Sequence, residues 1–198
     1  MNKRNLGPVK VLYLLRHAKS SWKDASLADH DRPLNGRGRR AVKVMGCYMD
    51  RYMASMGPPP DLVLCSTAAR TRETLNIALD NAPRTIGGDS VKIEFDSGLY
   101  HAAPMELLNR LHDLADHVGA VLLIGHNPGL ERLALGLTGT QAKRQAGNIA
   151  GEEFLGRMAI KFPTAALAIL EAEIESWRDL EAGGALLRQF IRPKDIAD

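Results

Sequence analysis

Three short, largely apolar runs, Val9–Leu15, Leu62–Cys65 and Ala120–Ile124, each lead straight into a polar or cationic cluster. The first is followed by Arg16-His17, the second by Ser66-Thr67-Ala68-Ala69-Arg70, and the third by Gly125-His126-Asn127-Pro128. Runs of this length, rich in Val, Leu and Ile, suit strands buried on both faces of a parallel sheet. In such sheets ligands bind outside the carboxyl ends of the strands, so the two arginines and two histidines at these ends are placed to share one pocket.

The segments between the runs carry helical period, which gives βαβ units and an α/β fold around a largely parallel sheet of five or six strands. Gly38–Ala54 places Ala41, Val42, Met45, Tyr48, Met49, Tyr52 and Met53 on one face and is ended by Gly57 and three prolines. Further helices are expected from Ser66 or Thr67 to about Asp80, over Pro104–His117, and after Pro128. Val91–Phe95 alternates as a strand, and Arg157–Phe162 pairs with Ala166–Glu171 around Pro163 as a late hairpin. Thr138–Gly151 is polar, small and without period, and reads as a mobile loop, either a surface connection or a lid.

With 198 residues, 45% of them hydrophobic, the chain fits one domain, residues 1–198, with a core that needs no disulfide or metal. Cys47 and Cys65 offer no zinc-ligand spacing. The formal charge of +3 arises from 26 basic and 23 acidic residues. So mixed a balance gives no reason to expect nucleic acid or an anionic membrane as partner. The apolar run Val11–Leu15 is too short for a secretory signal and no stretch is long enough to span a bilayer. A soluble cytoplasmic protein is the expectation; the oligomeric state is left open.

The ligand that fits Arg16, His17, Arg70 and His126 is a phosphoryl group. Arginine's planar fork matches phosphate oxygens bidentately and keeps its charge. A neutral imidazole can in addition attack phosphorus. Taken singly the residues have blander readings: a solvated Arg-His pair, a loop histidine, and an Arg70 that pairs with Glu73 or Asp80.

The string LYLLRHAKSSW resembles the signature of the histidine phosphatase superfamily, the phosphoglycerate-mutase-like group, and DRPLNGRGRRA is similar to the segment that follows it in the small SixA-like phosphohistidine phosphatase branch. STAARTRET resembles the second-arginine motif, IGHNPGLE the second-histidine motif, and FPTAALAILE with LLRQFIRPKD the end of that branch. The resemblance covers nearly the whole chain in order. It implies a three-layer α/β/α sandwich with one antiparallel strand, His17 as the nucleophile that becomes phosphorylated, Arg16 and Arg70 as phosphate ligands, and His126 completing a cationic pocket. It implies no metal or cofactor. The substrate it implies is a phosphorylated protein or a small phosphorylated molecule.

Two departures from the family pattern stand out. Arg16-His17-Ala18 replaces the commoner Arg-His-Gly, and SGLYHAAPMELL offers Tyr100 and His101 where a general-acid glutamate is expected. An alkoxide leaving group needs a proton from such an acid, whereas phosphohistidine leaves as neutral imidazole. The reading is therefore a phosphohistidine phosphatase; the alternatives are a small-molecule phosphoesterase or mutase of the same group, and a weakly catalytic phosphate-binding module. Short inter-element segments count against the mutase.

Gly36-Arg37-Gly38-Arg39-Arg40-Ala41 matches a dinucleotide fingerprint, but it follows a turn and reads as a helix entry. Arg32, Arg37, Arg39, Arg40 and Lys43 form a solvated basic face or a site for an acidic partner. Lys23 is either a surface lysine or a substrate contact, and His101 either a proton donor or a loop residue. His30, His112 and His117 are expected at the surface, and Trp177 at an edge of the sheet.

Overall fold

The computed structural model describes residues 8–86, 91–139 and 149–196. Six strands, β1 Val9–Arg16, β2 Leu62–Ser66, β3 Lys92–Asp96, β4 Ala120–Gly125, β5 Leu167–Glu173 and β6 Leu186–Ile191, form one sheet in the order β3-β2-β4-β1-β5-β6. The pairs β1–β4, β2–β4 and β2–β3 are parallel; β5 runs antiparallel to both β1 and β6 and is the one reversed strand of the sheet. The three central strands β1, β2 and β4 are nearly wholly buried, which is why each reads as an apolar run.

Helices α1 Gly36–Ser55, α2 Ala69–Asn81, α3 Pro104–His112, α4 Gly129–Thr138, α5 Ile149–Ile160 and the short α6 Pro193–Ile196 cover the two faces. Side chains alternate across β1, so Leu12 and Leu14 join one core with Leu107, Leu133 and Met158, from α3, α4 and α5. Val11, Tyr13 and Leu15 join the other with Met45 and Met49 from α1 and Leu75 from α2. The result is a three-layer α/β/α sandwich.

Helix α1 starts where Asn35 caps it, its Oδ1 accepting from Gly38 N at 2.8 Å. The glycine-arginine string is thus a helix entry and not a strand-to-helix phosphate loop. Four expectations are corrected. Arg157–Phe162 is not a strand: Phe154, Leu155 and Met158 belong to the helical period of α5, which packs them on the core and begins inside the supposed loop Thr138–Gly151. Thr138 itself closes α4, while residues 140–148 of that loop lie outside the described residues. Helix α3 ends at His112, five residues short of His117. Trp177 lies 1% exposed in a core, its indole donating to Val118 O at 2.8 Å. No helix among the described residues is long and apolar enough to cross a membrane.

Candidate active site

Arg16 is the last residue of β1, Ser66 the last of β2, and Arg70 lies in the first turn of α2, where the helix presents its positive end. His126 directly follows β4. Because these parallel strands are neighbours in the sheet, the four expected residues lie together at their carboxyl ends. The rings of His17 and His126 lie 5.0 Å apart, and Arg70 Nη2 donates to His126 Nδ1 at 3.3 Å.

Hydrogen bonds fix both histidine tautomers. His17 Nδ1–H donates to Ala18 O at 2.8 Å, which leaves Nε2 with its lone pair. Since the arginine can only donate, His126 Nδ1 accepts and its Nε2–H donates to Ser66 Oγ at 2.9 Å. The two rings are 8% and 4% exposed. Burial is the main force that lowers His17 to about 4, and Arg70 and Arg16 add to it; the Ala18 hydrogen bond and Asp29 oppose. Burial lowers His126 to about 2, reinforced by His17, Arg70 and His101. Both rings are therefore uncharged at neutral pH. His126 thus enters the cationic pocket as a hydrogen-bonding group, and the fixed positive charge belongs to the arginines.

Arg16 donates through Nη1 to Phe162 O at 2.7 Å, while its Nε is buried without a hydrogen-bond partner among the described residues. Burial lowers its pKa and Glu131 works the other way, yet a guanidinium stays protonated. A buried orphan donor costs free energy unless a ligand satisfies it. Ala165 N bonds to both Arg16 O and His17 O, at 3.1 and 3.2 Å, and clamps the strand end from the other side. Ala18 N donates to Thr74 Oγ1 at 3.1 Å, which ties the same turn to α2.

Arg70 does not pair with Glu73 or Asp80. It is held by Asp29, its Nη1 donating to the carbonyl at 2.5 Å and its Nη2 to Oδ2 at 2.9 Å; Glu73 binds Arg39 and Leu34 N instead. Asp29 Oδ2 also accepts from Tyr100 Oη at 2.8 Å. Tyr100, then Arg70, hold the Asp29 carboxyl below the usual carboxylate range. Burial, with the bond to Asp29, raises the Tyr100 phenol, so it keeps its proton. The site accordingly contains a carboxylate after all. The sequence gives little sign of it, because Asp29 sits in the long loop between β1 and α1, 41 positions from Arg70 and 71 from Tyr100. A loop this long after a strand-terminal cluster is the one available signal.

Tyr100 and His101 stand where the glutamate was sought. Their rings stack at 4.2 Å, and both meet His126 edge-on, at 5.3 and 5.5 Å. His101 has φ of 53°, a left-handed conformation uncommon outside glycine, and its side chain is 57% exposed at the mouth. His30, expected at the surface, binds Thr67 Oγ1 at 3.1 Å on the rim. His112 Nε2–H donates to Leu180 O at 2.8 Å. Lys23 is exposed and apart from these contacts. No group of three or more His, Cys, Asp or Glu among the described residues is arranged to hold a metal ion.

This geometry coincides with a family match over residues 12–133 to the histidine phosphatase superfamily, branch 1. The chain belongs to that superfamily. It is 34% identical over 180 residues to a Mycobacterium tuberculosis H37Rv protein of no assigned function, covering 91% of this chain and 100% of the other. It is 32% identical to a chloroplastic protein of Arabidopsis thaliana, over 92% of this chain and 77% of that one. Among solved structures, a candidate phosphohistidine phosphatase SixA from Nakamurella multipartitia aligns with TM-score 0.73 and 26% identity over 96% of this chain and 99% of that one. One described in the same terms from Agrobacterium tumefaciens gives 0.71 and 27%, over 94% and 99%. A phosphoglycerate mutase from Plasmodium falciparum, 15% identical over 93% of this chain and 91% of that one, shares the fold at TM-score 0.54.

Proposed function

We propose that this superfamily member is a phosphatase that removes a phosphoryl group from phosphohistidine in a protein, through a covalent phosphohistidine on His17. One observation carries the reading: His17 donates Nδ1–H to its neighbour's carbonyl, so a neutral Nε2 lone pair is held in a pocket with two arginines. Attack by Nε2 forms the new P–N bond as the bond to the substrate imidazole breaks, and that ring takes the electron pair. Arg16 and Arg70 bind the equatorial oxygens, and His126 is the hydrogen-bond partner beside them. Water then cleaves the His17 phosphoramidate and releases phosphate, which returns His17 to its neutral state.

The proton inventory favours a nitrogen leaving group. Asp29 is ionised and has no proton to give to an alkoxide, whereas an imidazole protonated on its other nitrogen leaves neutral. The likeness, at 26% and 27% identity, to two proteins described as candidate SixA phosphohistidine phosphatases supports the same substrate class. His17→Ala should abolish both turnover of a phosphohistidine peptide and covalent labelling by it; unchanged hydrolysis would overturn the mechanism. Faster turnover of 3-phosphoglycerate than of the peptide would move the protein to the phosphoester reading.

A further inference from the structure

Beside the site, at the same end of the sheet, lies a cavity of about 400 Å³ whose lining includes Lys19, Arg37, Lys161, Arg192 and Lys194 and no acidic residue. Ala41, Pro163 and Pro193 add apolar surface to the lining. The cations come from separate elements: the β1–α1 loop, the first turn of α1, the segment after α5, and the residues that follow β6. Arg192 shares the carboxylate of Asp195 with Arg157. Lys19, Arg37, Lys161 and Lys194 have no ion-pair partner among the described residues.

This concentration of charge is unfavourable to the folded protein as it stands. The first turn of α1 has no acidic residue and carries Arg37 and Arg39 against the positive end of the helix dipole, with Arg40 next in the chain. Arg39 is neutralised by Glu73, but Arg37 faces the cavity. Local electrostatic rules broken together in one place mark a binding surface more often than a structural need.

We propose that this cavity docks an acidic polypeptide segment flanking the phosphorylated residue of the substrate, a reading that rests on the phosphohistidine function above. The lining favours carboxylates spread along a chain over a second phosphate. Three of the five cations are lysines, which are mobile point charges on long stems and not planar forks, and they share the lining with Ala41, Pro163 and Pro193. Apolar surface combined with charged groups is the make-up of a protein contact. The position fits as well. Lys19 follows His17 by two residues, and the wall at Pro163 and Thr164 continues into Ala165, whose N–H binds the carbonyls of Arg16 and His17. The cavity lies over the ends of β5 and β6, one to two strand spacings from β1, or about 5–10 Å. An extended peptide covers that distance in about two or three residues.

The test compares phosphohistidine peptides carrying Asp and Glu two to four residues from the phosphorylated position with neutral and basic versions. The wild-type protein should show kcat/KM roughly tenfold higher on the acidic peptide, the effect of two or three rim ion pairs. Arg37→Glu with Lys161→Glu should erase that preference and leave turnover of phosphoramidate itself unchanged. Arg51→Glu, an equal kind of charge change elsewhere on α1, should leave the preference intact. Equal turnover of acidic and neutral peptides, or equal loss on phosphoramidate, would overturn the proposal. If no peptide is turned over at all, the catalytic reading fails separately. Anisotropy of an unphosphorylated fluorescein-labelled acidic peptide then still decides on the cavity: binding lost in the double variant supports it, and no binding, or binding of pyrophosphate alone, overturns it.

Discussion

Asp29 and Arg70 hold each other through two hydrogen bonds, one to the aspartate's carbonyl at 2.5 Å and one to its carboxylate at 2.9 Å. The arginine is thus paired with an internal anion. A phosphoryl group entering beside His17 competes with that carboxylate for the same guanidinium, and like charges in a partly buried site repel.

Asp29→Asn keeps the shape and removes the charge. Vanadate or inorganic phosphate should inhibit this variant at several-fold lower concentration than the wild type, because the guanidinium is no longer neutralised. Inhibition titrations measure this directly. Unchanged inhibition would show that Arg70 does not exchange its carboxylate for the ligand.

The pH dependence of the rate follows from the buried nucleophile. His17 attacks only when neutral, and burial has lowered it to about 4. In the free enzyme kcat/KM should stay flat as pH falls from 7 to 5 and decline as it passes through about 4. A limb near 6.5, the value of an exposed imidazole, would mean that the ring titrates as though solvated.

The same two histidines couple stability to pH. Unfolded, both titrate near 6.5; folded, they stay neutral down to about 4 for His17 and about 2 for His126. Below pH 6.5 the unfolded chain therefore binds more protons than the folded one, and stability falls with pH. For His17 the loss accumulates between 6.5 and about 4, and amounts to about 3 kcal/mol at 1.36 kcal/mol per unit. Melting temperatures should decrease from pH 7 to pH 4.5, and less steeply in a His17→Gln, His126→Gln double variant. Parallel slopes would place the effect in other groups.

The strands that deliver the site were legible in the sequence because burial on both faces leaves β1, β2 and β4 with uninterrupted apolar character up to the point where polar chemistry begins. Arg16, His17, Arg70 and His126 sit at those breaks. Asp29 was not legible, since its meaning comes from contacts with residues 41 and 71 positions away and no local period encodes them. The protonation of His126 was not legible for a related reason: it is set by burial and by its neighbours His17, Arg70 and His101, which favour the neutral ring. Helix α5 escaped because its first turn falls in a segment of small polar residues, so that Arg157–Phe162 alone looked like a strand. Strand β6, Leu186–Ile191, was quoted as part of a motif without being assigned a conformation; its mixed burial gives neither a clean alternation nor an apolar run.

The pocket also depends on a close approach that only glycine permits. Gly129 opens α4 immediately after His126-Asn127-Pro128, and a Cβ there would overlap the carbonyl of Ala102 and come within 3.3 Å of Leu107 Cδ1. Ala102 follows His101, so the segments carrying the two site histidines rest on each other at this glycine. Gly129→Ala must push them apart. Overpacking of this kind costs about 1–3 kcal/mol, which for a chain of this length lowers Tm by roughly 2–12 °C. Displacing His126 by even part of an ångström should reduce kcat/KM at least tenfold on top of that, since positional errors of about 1 Å cost roughly a hundredfold. Gly136→Ala, in the same helix, meets no atom within 4 Å and should instead raise stability by roughly 0.5–1 kcal/mol with activity unchanged. Thermal melts and rates on the pair decide the matter: if both alanines behave alike, helix propensity and not the contact with Ala102 governs this turn.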